Sequence, residues 1–143
     1  MAVRVRLRLV ARKTGRAIEV SALVNSGFET DRPQLLIPVK LAEELGLWPE
    51  LPTGTSIETY GTAGGLVRLY VVPEGLEVSI KTEGTTKTVC CDALISDIER
   101  EVLISDKLGG ALEIMIIDLA DGTWQLRSDP RGKMRRSELP QYW

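Results

Sequence analysis

The stretch "ALVNSGFETD", residues 22–31, decides how the rest of the chain is read. Ala22-Leu23-Val24 is an apolar run that delivers the chain into Asn25-Ser26-Gly27, a triplet of turn-forming residues. Upstream, "AIEVSALV" (17–24) reads as a strand, and "KTG" (13–15) marks the turn before it. The strand on the other side of that turn is "VRVRLRLV" (3–10). It alternates strictly, with Val3, Val5, Leu7 and Leu9 on one face and Arg4, Arg6 and Arg8 on the other.

Downstream, "RPQLLIP" (32–38) is a short extended piece bracketed by prolines. Pro38 then opens a helix over "VKLAEELGL" (39–47), with Gly46 as its C-terminal cap. From Thr55 to Ile95 the pattern is β throughout. One long hairpin has its Gly-rich tip at Gly61 to Gly65, and a second turns at Glu83-Gly84. "EVLISDKLG" (101–109) begins as a buried apolar run and finishes as a short helix, and "ALEIMIIDLADGTWQL" (111–126) forms a hairpin turning at Asp121-Gly122. The last 17 residues, 127–143, lose apolar periodicity and carry five basic against two acidic side chains. They read as a basic C-terminal tail appended to one domain, residues 1–126. About seven strands and one clear helix predict a small, mainly antiparallel β domain of sandwich or barrel type.

The chain has 143 residues, enough to bury a core without staples, and its apolar and charged fractions are those of a globular protein. A net charge of −2 points to neither nucleic acid nor membrane. No apolar run approaches the length that spans a bilayer, and the arginine-alternating N-terminus lacks a signal-peptide core, so a cytoplasmic location is expected. The two cysteines, Cys90 and Cys91, are adjacent and point to opposite faces of a strand, which leaves no disulfide framework. With no histidine in the chain, His-dependent triads and the usual zinc sites fall away; no metal and no cofactor are expected.

Acid/base chemistry is left to Asp, Glu, Lys, Tyr and Cys. An aspartic hydrolase needs only two carboxylates that share one proton and bind a water between them. The charged member takes a proton from the water as it attacks, and the protonated member hydrogen-bonds the substrate carbonyl. Each acid must ride on an apolar strand into a buried interface. A hydroxyl residue must follow to lock the loop, and then a glycine whose bare backbone can approach the carboxylate. "ALVNSG" meets each requirement except the acid, which is replaced by the amide of Asn25.

The longer stretch "ALVNSGFETDRPQLLIPVKLAEELGL" (22–47) resembles the retropepsin-like aspartic proteases, particularly the single-domain cellular relatives of the retroviral enzymes. Tyr60-Gly61-Thr62-Ala63-Gly64-Gly65 sits where that family has its flap, a Gly-rich hairpin that closes over substrate. Val102-Leu103-Ile104, followed by Ser105-Asp106-Lys107-Leu108, resembles the segment that crosses behind the active-site loop and enters a short helix. The resemblance covers residues 1–126. It implies a closed acid-protease β barrel with a flap and one or two short helices. Asn25, Ser26 and Gly27 fall at the catalytic motif, and Phe28, the flap residues 60–65 and Ile104 fall at substrate-contacting positions. Three positions depart from the family pattern: Asn25 replaces the catalytic aspartate, Ser105 the usual glycine, and Phe28 the alanine of the retroviral enzymes.

One motif in one short chain implies a homodimer, with the two copies of Asn25 facing across a two-fold axis and a peptide or unfolded protein lying in the groove between subunits. Asp121-Gly122-Thr123 and Glu83-Gly84-Thr85 have the wrong residue order and sit at hairpin turns. An amide is nearly isosteric with a carboxylate but cannot take a proton from water. The expected activity is therefore aspartic endopeptidase, inactive as written. Asn25 fits either an aspartate replaced to prevent self-digestion or a pseudo-protease retained for binding. The arginine stripe reads as a solvated strand face; nucleic-acid binding through it or through the tail is the alternative. The tail itself fits disorder or packing against a partner subunit.

Overall fold

The computed structural model describes residues 1–84 and 86–143; Thr85, the last residue of one turn triplet weighed above, lies outside them. The first strands follow the alternation closely. β1 (Arg4–Ala11) pairs antiparallel with β2 (Ala17–Val24), and Val5, Leu7, Leu9 and Ala11 are all fully buried. β3 (Gln34–Pro38) is buried along its whole length, as befits an apolar run lying between two other strands. The helix α1 (Val39–Glu44) ends where Gly46 adopts φ +77°, and a side chain there would press on Thr14.

β4 (Ser56–Thr62) and β5 (Gly65–Ile80) form the long hairpin, its loop being Ala63-Gly64. The two expected hairpins share β5, a single 16-residue strand, where the sequence read as two arms. Pro73-Glu74-Gly75 bends this strand without ending it, and the register against β6 (Thr88–Ser96) shifts between Val72 and Leu76. Glu74 takes φ +49° at the bend, and an added Cβ at Gly75 would fall 2.9 Å from Val72 Cγ1.

After β6 come β7 (Val102–Ile104) and α2 (Asp106–Ala111). β7 inserts between β2 and β3, parallel to the first and antiparallel to the second, while β3 and β6 are parallel. The ring β1-β2-β7-β3-β6-β5 closes when β5 pairs back to β1, giving a six-stranded barrel with β4 projecting as an outer strand. Leu35, Ile37, Leu76, Val78, Ala93, Ile95, Val102 and Ile104 fill its interior with the β1 and β2 side chains.

A separate three-stranded sheet, β8 (Ile114–Asp118), β9 (Thr123–Leu126) and β10 (Arg135–Arg136), completes the chain. The segment expected as an appended tail thus supplies a strand and lies against the barrel. Arg135 makes a bidentate ion pair with Asp129 at 2.9 Å and stacks over the Trp124 ring. Further along, Glu138 N–H donates to Arg4 O at 2.9 Å, and Ser21 Oγ donates to Leu139 O at 2.7 Å. The arginine face of β1 is partly covered in consequence. Arg4 pairs with Glu101 at 2.5 Å and Arg6 with Glu138 at 3.1 Å, so two of its three guanidiniums are already neutralised. No helix among the described residues is long and apolar enough to cross a membrane.

Candidate groove at the end of the second strand

Asn25 leaves β2 held by the neighbouring strand, its N–H donating to Ile104 O at 3.1 Å. The turn then closes with Phe28 N–H on Asn25 O at 3.0 Å, and Gly27 N–H donates to Asn25 Oδ1 at 3.1 Å. This is an Asx turn: Oδ1 accepts inside the loop, and Nδ2 has no hydrogen-bond partner among the described residues. A Cβ added at Gly27 would stand 3.4 Å from that Oδ1, which is the close approach a glycine permits. Ser26 and Gly27 are exposed, and Asn25 is half-buried.

The loop is buttressed from behind. Asp106 N–H donates to Phe28 O at 2.9 Å, and Asp106 Oδ1 accepts from Thr30 N–H at 3.0 Å. Ser105, fully buried, caps α2 by accepting from Leu108 N–H at 3.2 Å. The same hydroxyl accepts from Gln34 N–H at 3.2 Å, so the Cβ and hydroxyl at this position tie β3 to the helix start.

Asn25, Gly27 and Phe28 line a groove of about 650 Å³ together with Tyr60, Gly61, Thr62 and Ala63 of the β4–β5 hairpin. Its apolar lining continues through Leu36, Val67, Leu69, Ile98 and Leu103. All of these but the exposed Ile98 belong to a small second apolar cluster, apart from the barrel interior, in which Phe28, Tyr60, Val67 and Leu103 stay partly open. Gly64 and Gly65 sit at the hairpin tip outside the groove lining, where Gly65 adopts φ +116° and Thr62 Oγ1 donates to Gly65 O at 2.6 Å. Ile104 is also apart from the groove. It is fully buried in the barrel, and its neighbour Leu103 takes the groove side.

Tyr60 and Glu29 also line a second hollow of about 460 Å³, with Asp31, Arg32, Gln34, Glu58 and Asp92. Here the structure holds a polar network that the apolar pattern does not reveal. Asp92 is 2% exposed and accepts from Arg32 Nη2 at 2.5 Å, from Gln34 Nε2 at 2.9 Å and from Glu74 N–H at 2.9 Å. Burial works to raise its pKa, but these bonds outweigh it and hold the carboxyl below its usual range. Tyr60 OH reaches into the network, donating to Gln34 Oε1 at 3.3 Å; burial, reinforced by the Glu58 charge, pushes that phenol up. The one signal in the sequence is Asp92 itself, a carboxylate inside the strand "TVCCDALIS".

Cys91 is buried and Cys90 exposed, and burial pushes the Cys91 thiol up. Among the described residues no group of three or more His, Cys, Asp or Glu side chains gathers as a metal site. The arrangement can hold an extended chain along an apolar floor, with one amide donor at its edge and a hairpin above it. No protein-family model matches this sequence, and no curated protein matches it.

Proposed function

We propose that this protein is one half of a homodimeric aspartic endopeptidase of the retropepsin type, with its hydrolytic step switched off by Asn25. The observation that carries the reading is the sharing of one groove by the Asn25 turn and residues 60–63 of the Gly-rich hairpin. An aspartate at position 25 would accept the Gly27 N–H as Asn25 does, and its second oxygen would take the place of the unpartnered Nδ2. Paired with its symmetry mate, it would share one proton and bind the attacking water. As an amide it offers neither charge nor transferable proton, and peptide would be bound without being cut.

Two features support the dimer. Ser26 is exposed, and its hydroxyl bonds to nothing among the described residues, so it is free to reach a partner loop. β8 is the free edge of its sheet, with Met115, Ile116 and Ile117 exposed along it. Unpaired apolar edges of this kind are satisfied by pairing with a second copy.

The test is Asn25→Asp. The restored protein is expected to cleave a denatured protein at acidic pH, and a statine peptide that mimics the tetrahedral intermediate is expected to block it. A restored protein that is a stable dimer yet cleaves nothing across a broad substrate panel would overturn the enzyme reading. The second reading, a non-catalytic peptide-binding domain on the same fold, is favoured by the unpartnered Nδ2 of Asn25, a ready donor for a peptide carbonyl. It predicts peptide binding by the chain as it stands, whatever residue 25 allows chemically.

A further inference from the structure

We propose that the groove selects extended peptides in which a large apolar side chain is flanked by lysine or arginine. This rests on the peptide-groove reading above and adds the class of ligand. The whole chain is nearly balanced, with 20 acidic and 18 basic residues. The groove is not. The groove and the hollow that shares Glu29 and Tyr60 with it are lined by the carboxylates of Glu29, Asp31, Glu58, Asp92 and Glu99 and by a single cation, Arg32.

That cation is spent. Arg32 is bonded to the buried Asp92, which leaves Glu29, Asp31, Glu58 and Glu99 without an ion-pair partner among the described residues. Exposed acids elsewhere are in part paired, Glu74 and Glu77 with Arg12 and Glu19 with Lys81, and in part not, Glu43, Glu44 and Glu50 among them; the groove differs in gathering four unpaired carboxylates around one path. The apolar lining is concentrated at one end, where Glu29 and Glu99 stand among it, and the other end is mainly polar. Leu36, Leu69 and Leu103 lie on the Asn25 side, whereas Asp31 and Glu58 lie in the hollow beyond Tyr60. Glu29 and Tyr60 border both.

A peptide lying along this path would set an apolar side chain on the floor beside Asn25 and carry its neighbours past uncompensated carboxylates. Basic neighbours gain attraction there; acidic ones are repelled and would have to desolvate against like charge. Because these carboxylates are solvent-exposed, the preference is salt-sensitive.

The experiment uses the full chain and three fluorescein-labelled peptides with a central Leu-Phe pair, flanked on each side by two Lys, two Ser or two Glu. A fourth peptide keeps the Lys flanks and replaces Leu-Phe by Ser-Ser. Fluorescence anisotropy titrations are expected to show the Lys-flanked Leu-Phe peptide binding about tenfold tighter than the Glu-flanked one at about 25 mM salt, with the gap narrowing at about 300 mM. The double variant Glu29→Gln/Glu58→Gln is expected to lose most of that gap.

Equal binding of the Lys- and Glu-flanked peptides, with Ser-flanked binding intact, would overturn the charge selection and leave the groove reading standing. Equal binding of the Ser-Ser and Leu-Phe peptides would overturn the apolar half of the proposal. Failure of all four to bind would overturn both the proposal and the peptide-groove reading.

Discussion

The barrel interior and the groove beneath the β4–β5 hairpin are built from the same residue types and end in opposite states. In the barrel, leucine, isoleucine and valine from six strands and α1 form a closed core whose members are almost wholly buried. In the groove, Leu36, Leu69, Val71 and Leu94 are buried, but Phe28, Val67 and Leu103 stay partly open because only the hairpin stands over them. Leu103 and Ile104 show the contrast at its sharpest, being successive residues of a three-residue strand that point to the two regions. Apolar surface left open inside a polar rim is what a fold retains for a ligand.

The largest expected effect breaks this pair apart. Ile104→Ala should cost about 2–5 kcal/mol of stability, since it opens a cavity in a closed core, while leaving the groove lining in place. Leu103→Ala should cost much less stability and weaken peptide binding instead. Denaturant melts of both variants, set beside anisotropy titrations, check the inversion.

Ser105→Ala comes next. Its hydroxyl accepts two backbone N–H groups, one from each of the elements it joins, and removing it should cost about 1–2 kcal/mol and loosen the Asn25 loop buttressed by Asp106. Hydrogen exchange at the Leu108 and Gln34 amides, faster in the variant, would register the loss.

The smallest effect concerns the C-terminal segment, which is held by polar contacts where the barrel is held by apolar ones. Arg135 holds the Asp129 carboxyl down to about 2, and burial opposes it only in part. An unfolded aspartate titrates near about 4. A depressed folded pKa contributes stability above the unfolded value and loses it as pH falls toward the folded one. The stability difference between the protein and Asp129→Asn should be full at neutral pH, shrink below pH about 4 and vanish near pH about 2. Thermal melts at stepped pH check it.

Local patterning made the hairpins, both helices and the Asn25 turn legible, because each is specified by residues close together in the sequence. The parallel pairings of β2 with β7 and β3 with β6 join segments about 80 and 60 residues apart, and no short-range period carries that information. The resemblance puts Ile104 at a substrate-contacting position, and because Val102-Leu103-Ile104 is apolar throughout, alternation does not mark Leu103 as the residue facing the groove. Residues 127–143 lack periodicity since their order comes from Arg135–Asp129, Ser137 and Glu138 contacts. Pro73, Glu74 and Gly75 form a bend inside β5, which no alternation pattern reveals.

The central claim is that two copies of Asn25 meet across a two-fold axis, and cysteine cross-linking tests it most directly. In an Asn25→Cys/Cys90→Ser protein the remaining native thiol, Cys91, is buried, so position 25 carries the accessible one. Disulfide formation needs Cα atoms within about 7 Å. Mild oxidation should convert the protein to a reducible covalent dimer, and a control with Glu50→Cys in place of Asn25→Cys should convert far less. A monomer at high concentration, or a dimer in which position 25 does not cross-link, would contradict the account.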